Sequence, residues 1–203
     1  MDTVQALELK PKRISPPTTT DSGETVASPR TMLACARQPD DLLTIAFAGI
    51  IGQALIDGRR PLIRGLSDVH FAQLINQYFS IPNPGNDTPA AAPAGVDEFA
   101  DLAELLLQSR AELSEPLAWL SFGIASAAMG EQHLWQDMGL TSRKVLSEIM
   151  SRFFPALAAS NSGDMKWKKF FYRALCERAE IPICKSPHCA DCSDYNICFG
   201  AEE

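Results

Sequence analysis

The chain has 203 residues, 46% of them hydrophobic, and a net charge of −7. That length gives one domain with tails, and a core of about 150 residues buries roughly 70% of the surface its unfolded chain exposes, so it needs no disulfide staples. The negative charge argues against a general nucleic-acid binder, whose affinity comes mainly from Lys and Arg on phosphates. Met1 to Gln5 show no basic stretch leading into an apolar one, so no signal peptide is expected. The most apolar run, Leu42 to Ile56, is fifteen residues long and interrupted by Thr44, Gly49, Gly52 and Gln53. A membrane span needs about 20. A cytoplasmic protein with reduced thiols is the expectation.

In chain order, residues 1–38 carry Pro11, Pro16, Pro17, a threonine triplet and Pro29 without an apolar period. This composition predicts a disordered tail. The helical domain is expected over 39–180. Its first helix starts after Asp40 and runs to about Ile56, where Gly58 ends it and Pro61 prevents resumption. Ser67 caps the second, in which Phe71, Leu74, Ile75, Tyr78 and Phe79 recur at helical spacing. Residues 82–95 hold four prolines and an alanine run, which reads as a mobile linker. A third helix is predicted from about Asp97 to Leu113. A fourth follows from Glu115 to Met129, capped by Ser114 with Pro116 in its first turn. Gly130 and Gly139 bracket a short helix containing His133 and Trp135. Thr141 caps the next, which stops at Pro155, and the last helix spans about Asp164 to Arg178. No segment alternates with period two, so the fold class is all-α, an irregular helical bundle.

The remaining segment, 181–203, carries the chemistry. Cys184, Cys189, Cys192 and Cys198 fall within fifteen residues as C-x4-C-x2-C-x5-C. Four thiols this close must bind metal, pair as disulfides or act in redox chemistry. Structural zinc usually takes two C-x2-C-like knuckles separated by a longer stretch; here only Cys189 and Cys192 form one. Iron–sulfur clusters favour several cysteines in one wrap, and the Cys184, Cys189, Cys192 triplet has the plant-type C-x4-C-x2-C spacing. The spacing favours an iron–sulfur cluster, with a structural zinc site on all four thiolates or reactive thiols as alternatives. DNA glycosylases of the endonuclease III type end in a similar loop, but the first spacing differs and no helix-hairpin-helix turn with a catalytic Asp is present.

The blocks before the cysteines narrow the reading. They run His133-Leu134-Trp135-Gln136-Asp137-Met138-Gly139-Leu140, then Phe154-Pro155-Ala156-Leu157-Ala158, Asn161, and Asp164 through Arg173 with its Lys166-Trp167-Lys168-Lys169-Phe170-Phe171-Tyr172 core. With Asp194-Tyr195 and Cys198-Phe199-Gly200, this ordered set resembles the nitrogen-fixation NifQ family, closely over about 131–200 and more weakly from about residue 40. The resemblance implies an iron–sulfur cluster that also holds molybdenum, bound by Cys184, Cys189, Cys192 and Cys198. It further implies donation of that molybdenum for the nitrogenase iron–molybdenum cofactor, with the NifEN scaffold and the NifH protein as partners. A conventional 4Fe-4S protein, or an interaction protein with structural zinc, remains the alternative. The resemblance implies a donor with no turnover chemistry, and no Ser/His/Asp set or phosphate-cradling Gly loop is visible to suggest catalysis.

Two residues are further candidates. Cys176 is expected off the apolar stripe of the last helix, between Lys169 and Arg173, where cations favour a thiolate. His188 lies inside the cysteine loop and could offer a nitrogen to a metal; His133 reads more simply as a structural histidine. Lys166, Lys169 and Arg173 are expected on one face of the last helix, open to an anion or an acidic partner.

Overall fold

A computed structural model describes residues 28–87, 98–180 and 192–202. Its elements among these residues are α1 (Pro29–Ala34), α2 (Leu42–Ile56), α3 (Asp68–Tyr78), α4 (Glu98–Gln108), α5 (Glu115–Ala128), α6 (Leu134–Asp137), α7 (Arg143–Phe153), α8 (Pro155–Ser160), α9 (Trp167–Arg178) and α10 (Tyr195–Phe199). No strand forms there; one isolated bridge joins Ala36 and Phe79. The all-α expectation holds. No helix among the described residues is long and apolar enough to cross a membrane.

The centre is α2. Nine of its residues are buried, and a helix apolar on every side must be surrounded by others. It packs against α1, α5, α6 and α7, while α4 lies on α5 and α9 lies on α4. Asp41, and not the expected Asp40, caps α2, its carboxylate accepting from the Thr44 amide at 2.9 Å and from the Thr44 hydroxyl. Ser67 caps α3 as expected, through the His70 amide.

The departures from the expected elements have identifiable causes. Residues 28–38 fall within the expected disordered tail, but Ser28 and Thr31 form a reciprocal cap around Pro29 and Met32 is buried. The Arg37 amide then donates to Tyr78 O at 2.9 Å, and the Ser80 amide to Cys35 O at 2.9 Å. Residues 1–27 lie outside the described residues. The expected linker is also partly built in, because Asn86 is buried and brackets the Ile63 turn. Its Oδ1 accepts from the Ile63 amide at 2.9 Å, and its Nδ2 donates to Ile63 O and Leu66 O. Residues 88–97 fall outside the described set.

The third long helix, α4, stops at Gln108, short of Leu113. Ser109 Oγ donates to Leu105 O at 2.7 Å and Arg110 Nε to Leu107 O at 2.7 Å, which satisfies carbonyls that a longer helix would use. Pro155 ends α7, lacking the amide to continue it, and opens α8 as its first residue. Neither Thr141 nor Ser142 caps α7 through its side chain. The Leu140 amide still bonds Trp135 O at 2.9 Å, so the chain turns into α7 only after Thr141. His133 precedes α6 as its N-cap instead of lying within it.

The α6 turn docks onto α2 through two glycines. Gly139 has φ +61, and a Cβ there would fall 2.6 Å from Gly49 O. Both the left-handed backbone and the contact exclude a side chain. Gly139→Ala is expected to cost about 1–3 kcal/mol, read as a lower urea midpoint with an unchanged slope.

Candidate metal-cluster segment and its platform

Cys192 precedes α10 and Cys198 lies within it, and both are half-buried free thiols. Cys192 O accepts from the Tyr195 amide at 3.1 Å. The Tyr195 ring stacks on Phe199 at 4.6 Å between centroids, which stiffens the single turn between the two thiols. Cys198 and Phe199 pack against the core. Cys184, His188 and Cys189 lie outside the described residues. Among the described ones, no three His, Cys, Asp or Glu side chains gather into a metal-binding group. The candidate donors among the described residues are therefore the two soft sulfur side chains of Cys192 and Cys198, a chemistry that suits iron–sulfur or zinc.

The rest of the C-terminal segment is fastened to a platform, and the sequence blocks build that platform. Asn161 is buried and grips Met165 twice, its Oδ1 accepting from the Met165 amide and its Nδ2 donating to Met165 O, each at 2.9 Å. Asp164 inside this turn has φ +53, outside the helical region. This is why α9 starts at Trp167 and not at Asp164. The turn presents the Lys166 amide, which donates to Cys198 O at 2.8 Å. One cysteine backbone is thus hydrogen-bonded directly to the entry of α9.

Arg143 ties both pieces together. Its Nη2 donates to Asp164 Oδ1 at 2.7 Å and to Asp164 O at 2.9 Å, and its Nη1 reaches Glu202 Oε1 at 2.9 Å. The Glu202 side chain is only 4% exposed, with His133 Nδ1 3.6 Å from the same oxygen. Among the described residues, His133 is thus placed as a neighbour of the tail carboxylate. Charge-assisted bonds of this kind contribute about 1.5–3 kcal/mol each. Glu202→Ala is expected to speed amide exchange across 193–200 by about tenfold or more while leaving global unfolding unchanged. Unaltered exchange would mean that the Lys166–Cys198 bond and the Phe199 packing hold the tail alone.

Beneath α9 lies a buried ion pair. Asp137 Oδ2 pairs with Lys168 Nζ and accepts from the Gln132 amide at 3.1 Å; Lys168 Nζ also donates to Gly130 O at 2.7 Å. Also on α9, Trp167, Phe170 and Phe171 form a buried aromatic trio, as the apolar stripe predicts.

Sequence reasoning missed Arg143, Glu202 and the Asp137–Lys168 pair. One signal was available: Arg143 and Lys144 open α7, where the helix dipole disfavours cations, so another partner for Arg143 was to be expected. Nothing in the sequence marks Glu202.

The remaining candidates separate in space. Cys176 is half-buried on α9 and lines neither of the two larger clefts beside that helix. Lys169 and Arg173, four residues apart on α9, share a helix face as expected, and Lys166 departs from it. Lys166 precedes the helix with a non-helical backbone, so the 100° step does not carry it onto the Arg173 face. Lys166 and Lys169 line one cleft with Ile197, whereas Arg173 lines another with Phe199 and pairs with Glu177 at 2.7 Å.

The NifQ family profile matches residues 46–200. Protein NifQ of Azotobacter vinelandii is 36% identical over 157 residues, covering 70% of this chain and 80% of that protein. Protein NifQ of Rhodobacter capsulatus is 40% identical over 164 residues, covering 77% of this chain and 89% of that protein. No solved structure matches the chain. The profile takes in most of the central helix, the platform and both Cys192 and Cys198, and the chain therefore belongs to the NifQ family.

Proposed function

We propose that this protein carries an iron–sulfur cluster containing molybdenum and donates the molybdenum for assembly of the nitrogenase iron–molybdenum cofactor. Membership of the NifQ family supports a role in nitrogen fixation. The observation that carries the finer reading is the docking of the Cys192–Cys198 segment. A cysteine-bearing turn is hydrogen-bonded through Cys198 O to the entry of α9 and held at Glu202 by Arg143. Cluster ligands need that positional support, since partners behind the first ligands set their orientation.

In this reading the cluster is cargo. Cys184, Cys189 and Cys192 hold the irons, and the molybdenum corner keeps an exchangeable ligand, with Cys198 or a non-thiolate group completing it. A corner closed by an inert thiolate would not release metal. The recipients are the NifEN scaffold and the NifH protein, and the protein acts as a donor and not as a turnover enzyme. Cys176 and His188 are auxiliary candidates.

Anaerobic purification followed by iron, sulfide, zinc and molybdenum analysis tests this. Brown protein with iron, sulfide and molybdenum, and sulfur and iron neighbours at the molybdenum X-ray absorption edge, is the expected result. Colourless protein with one zinc ion would replace the cluster by a structural zinc site on the four thiolates. Iron and sulfide without molybdenum would leave a conventional 4Fe-4S protein.

A further inference from the structure

Cys198 is followed by a short tail that turns back onto the platform. Gly200 makes the turn: its amide donates to Asn196 O at 2.9 Å, and a Cβ there would collide with the same oxygen. Two residues on, the Glu202 carboxylate, 4% exposed, meets Arg143 Nη1 at 2.9 Å. The same guanidinium also holds the other anchor of Cys198. Its Nη2 donates to Asp164 Oδ1 at 2.7 Å, Asp164 O at 2.9 Å and Met165 O at 3.3 Å. Asp164 and Met165 directly precede the Lys166 amide that bonds Cys198 O. Arg143 thus brackets Cys198, through the 164–166 turn on one side and through Glu202 on the other.

The two contacts of Arg143 are unequal. Asp164 is 79% exposed, so water can replace the guanidinium there, and Asn161 still holds the turn through Met165. Glu202 has no such recourse. Without Arg143, His133 Nδ1 stands 3.6 Å from the same carboxylate oxygen, beyond hydrogen-bond length. A buried carboxylate left without its partner is better off in water. Its departure frees the tail from Gly200 onward, and the Cys198 end of α10 is left on one backbone bond and the Phe199 packing. Cys192, ahead of α10, accepts from the Tyr195 amide of its own turn.

We propose that Arg143 is a positioning residue for Cys198 and, through it, for the molybdenum corner of the cargo. The inference rests on the carrier function proposed above, in which Cys198 is a candidate for that corner and the close triplet holds the irons. The expected effect is selective: freeing the tail loosens molybdenum and leaves iron in place. A residue that only stabilised the fold would lower both metals together.

Two measurements on full-length protein test it, one without metal and one with. Alkylation of the metal-free protein by iodoacetamide, followed by peptide mass spectrometry, reads each cysteine separately. In Arg143→Ala and in Glu202→Ala, Cys198 should react about tenfold faster or more, the equivalent of losing one charge-assisted bond. Cys35, exposed at the end of α1, should react as in the parent. After anaerobic loading and dialysis, both variants should keep their iron and hold molybdenum about tenfold less well. Arg143→Lys should fall between, because an ammonium meets Glu202 without also spanning to the Asp164 turn. Should Arg143→Ala fold poorly, Glu202→Ala reads the same bond from the tail side. An unchanged Cys198 rate overturns the proposal, and so does an unaltered molybdenum-to-iron ratio where the parent carries both metals. The two readings fail separately. A Cys198 rate that responds in protein that never holds molybdenum sinks the carrier reading alone, and full molybdenum and iron in parent and variants alike sinks the positioning role alone.

Discussion

Asp137→Ala is expected to destabilise the protein by about 3–5 kcal/mol, the range for breaking a buried ion pair from one side. Asp137 is buried and Lys168 half-buried, at 8% and 17% exposed, so the ammonium left behind is only partly hydrated and the loss falls toward the lower end of that range. It would keep Gly130 O as a neutral acceptor, and the Gln132 amide would lose its partner at the same time. For a chain of this size that loss lowers the melting temperature by about 6–20 °C. The double replacement Asp137→Leu/Lys168→Met should recover much of the loss, because paired removal leaves no buried charge behind. The cycle of both single variants and the double, followed by urea unfolding, isolates the pair. Additive losses would show that the pair contributes no coupling and that each residue acts through packing alone. The pair joins the 130–137 loop to α9, so its loss should also loosen the platform under Cys198.

The second large effect concerns the cysteines. Cys192→Ser is expected to remove most iron and molybdenum from anaerobically purified protein and Cys198→Ser most of the molybdenum, each by more than about tenfold, since even residues behind the ligands change metal affinity about 10–100-fold. Serine oxygen is a hard and weakly acidic donor, poorly suited to the soft fragment that thiolates hold. Cys35→Ser is the control: that free cysteine is exposed at the end of α1, and metal content should not change. Cys176→Ser decides the auxiliary role. Retained metal with lost donation would make Cys176 a transfer thiol, and retention of both would make it a bystander. Full metal content in Cys192→Ser and Cys198→Ser would remove these two residues from the ligand set.

How much of this was readable beforehand follows from what local rules encode. The apolar period of α2 and α3 and the Ser67 cap were legible because they are properties of adjacent residues, whereas the cap of α2 is Asp41 and not the expected Asp40. The aromatic trio of α9 was legible for the same reason. Helix ends set by distant partners were not. Gln108 ends α4 while the Ala111 amide reaches Phe153 O at 2.9 Å. Asp164 is held outside α9 by Asn161 and Arg143. The short α1 exists because Tyr78 and Ser80 bond its exit, a contact that no window around Pro29 contains.

The chain's own order of residues determined the helical class, the cysteine spacing and the family, since each depends on periodicity or on motifs read along the backbone. Only the folded arrangement decided what the blocks between the helices and the cysteines are for. Asp137 meets Lys168, Arg143 meets Glu202 and Lys166 meets Cys198. Each meeting joins residues far apart along the chain with no shared local pattern. Charge pairing and hydrogen bonding act through space over a few ångströms, so their partners are chosen by how the helices pack and not by separation in sequence.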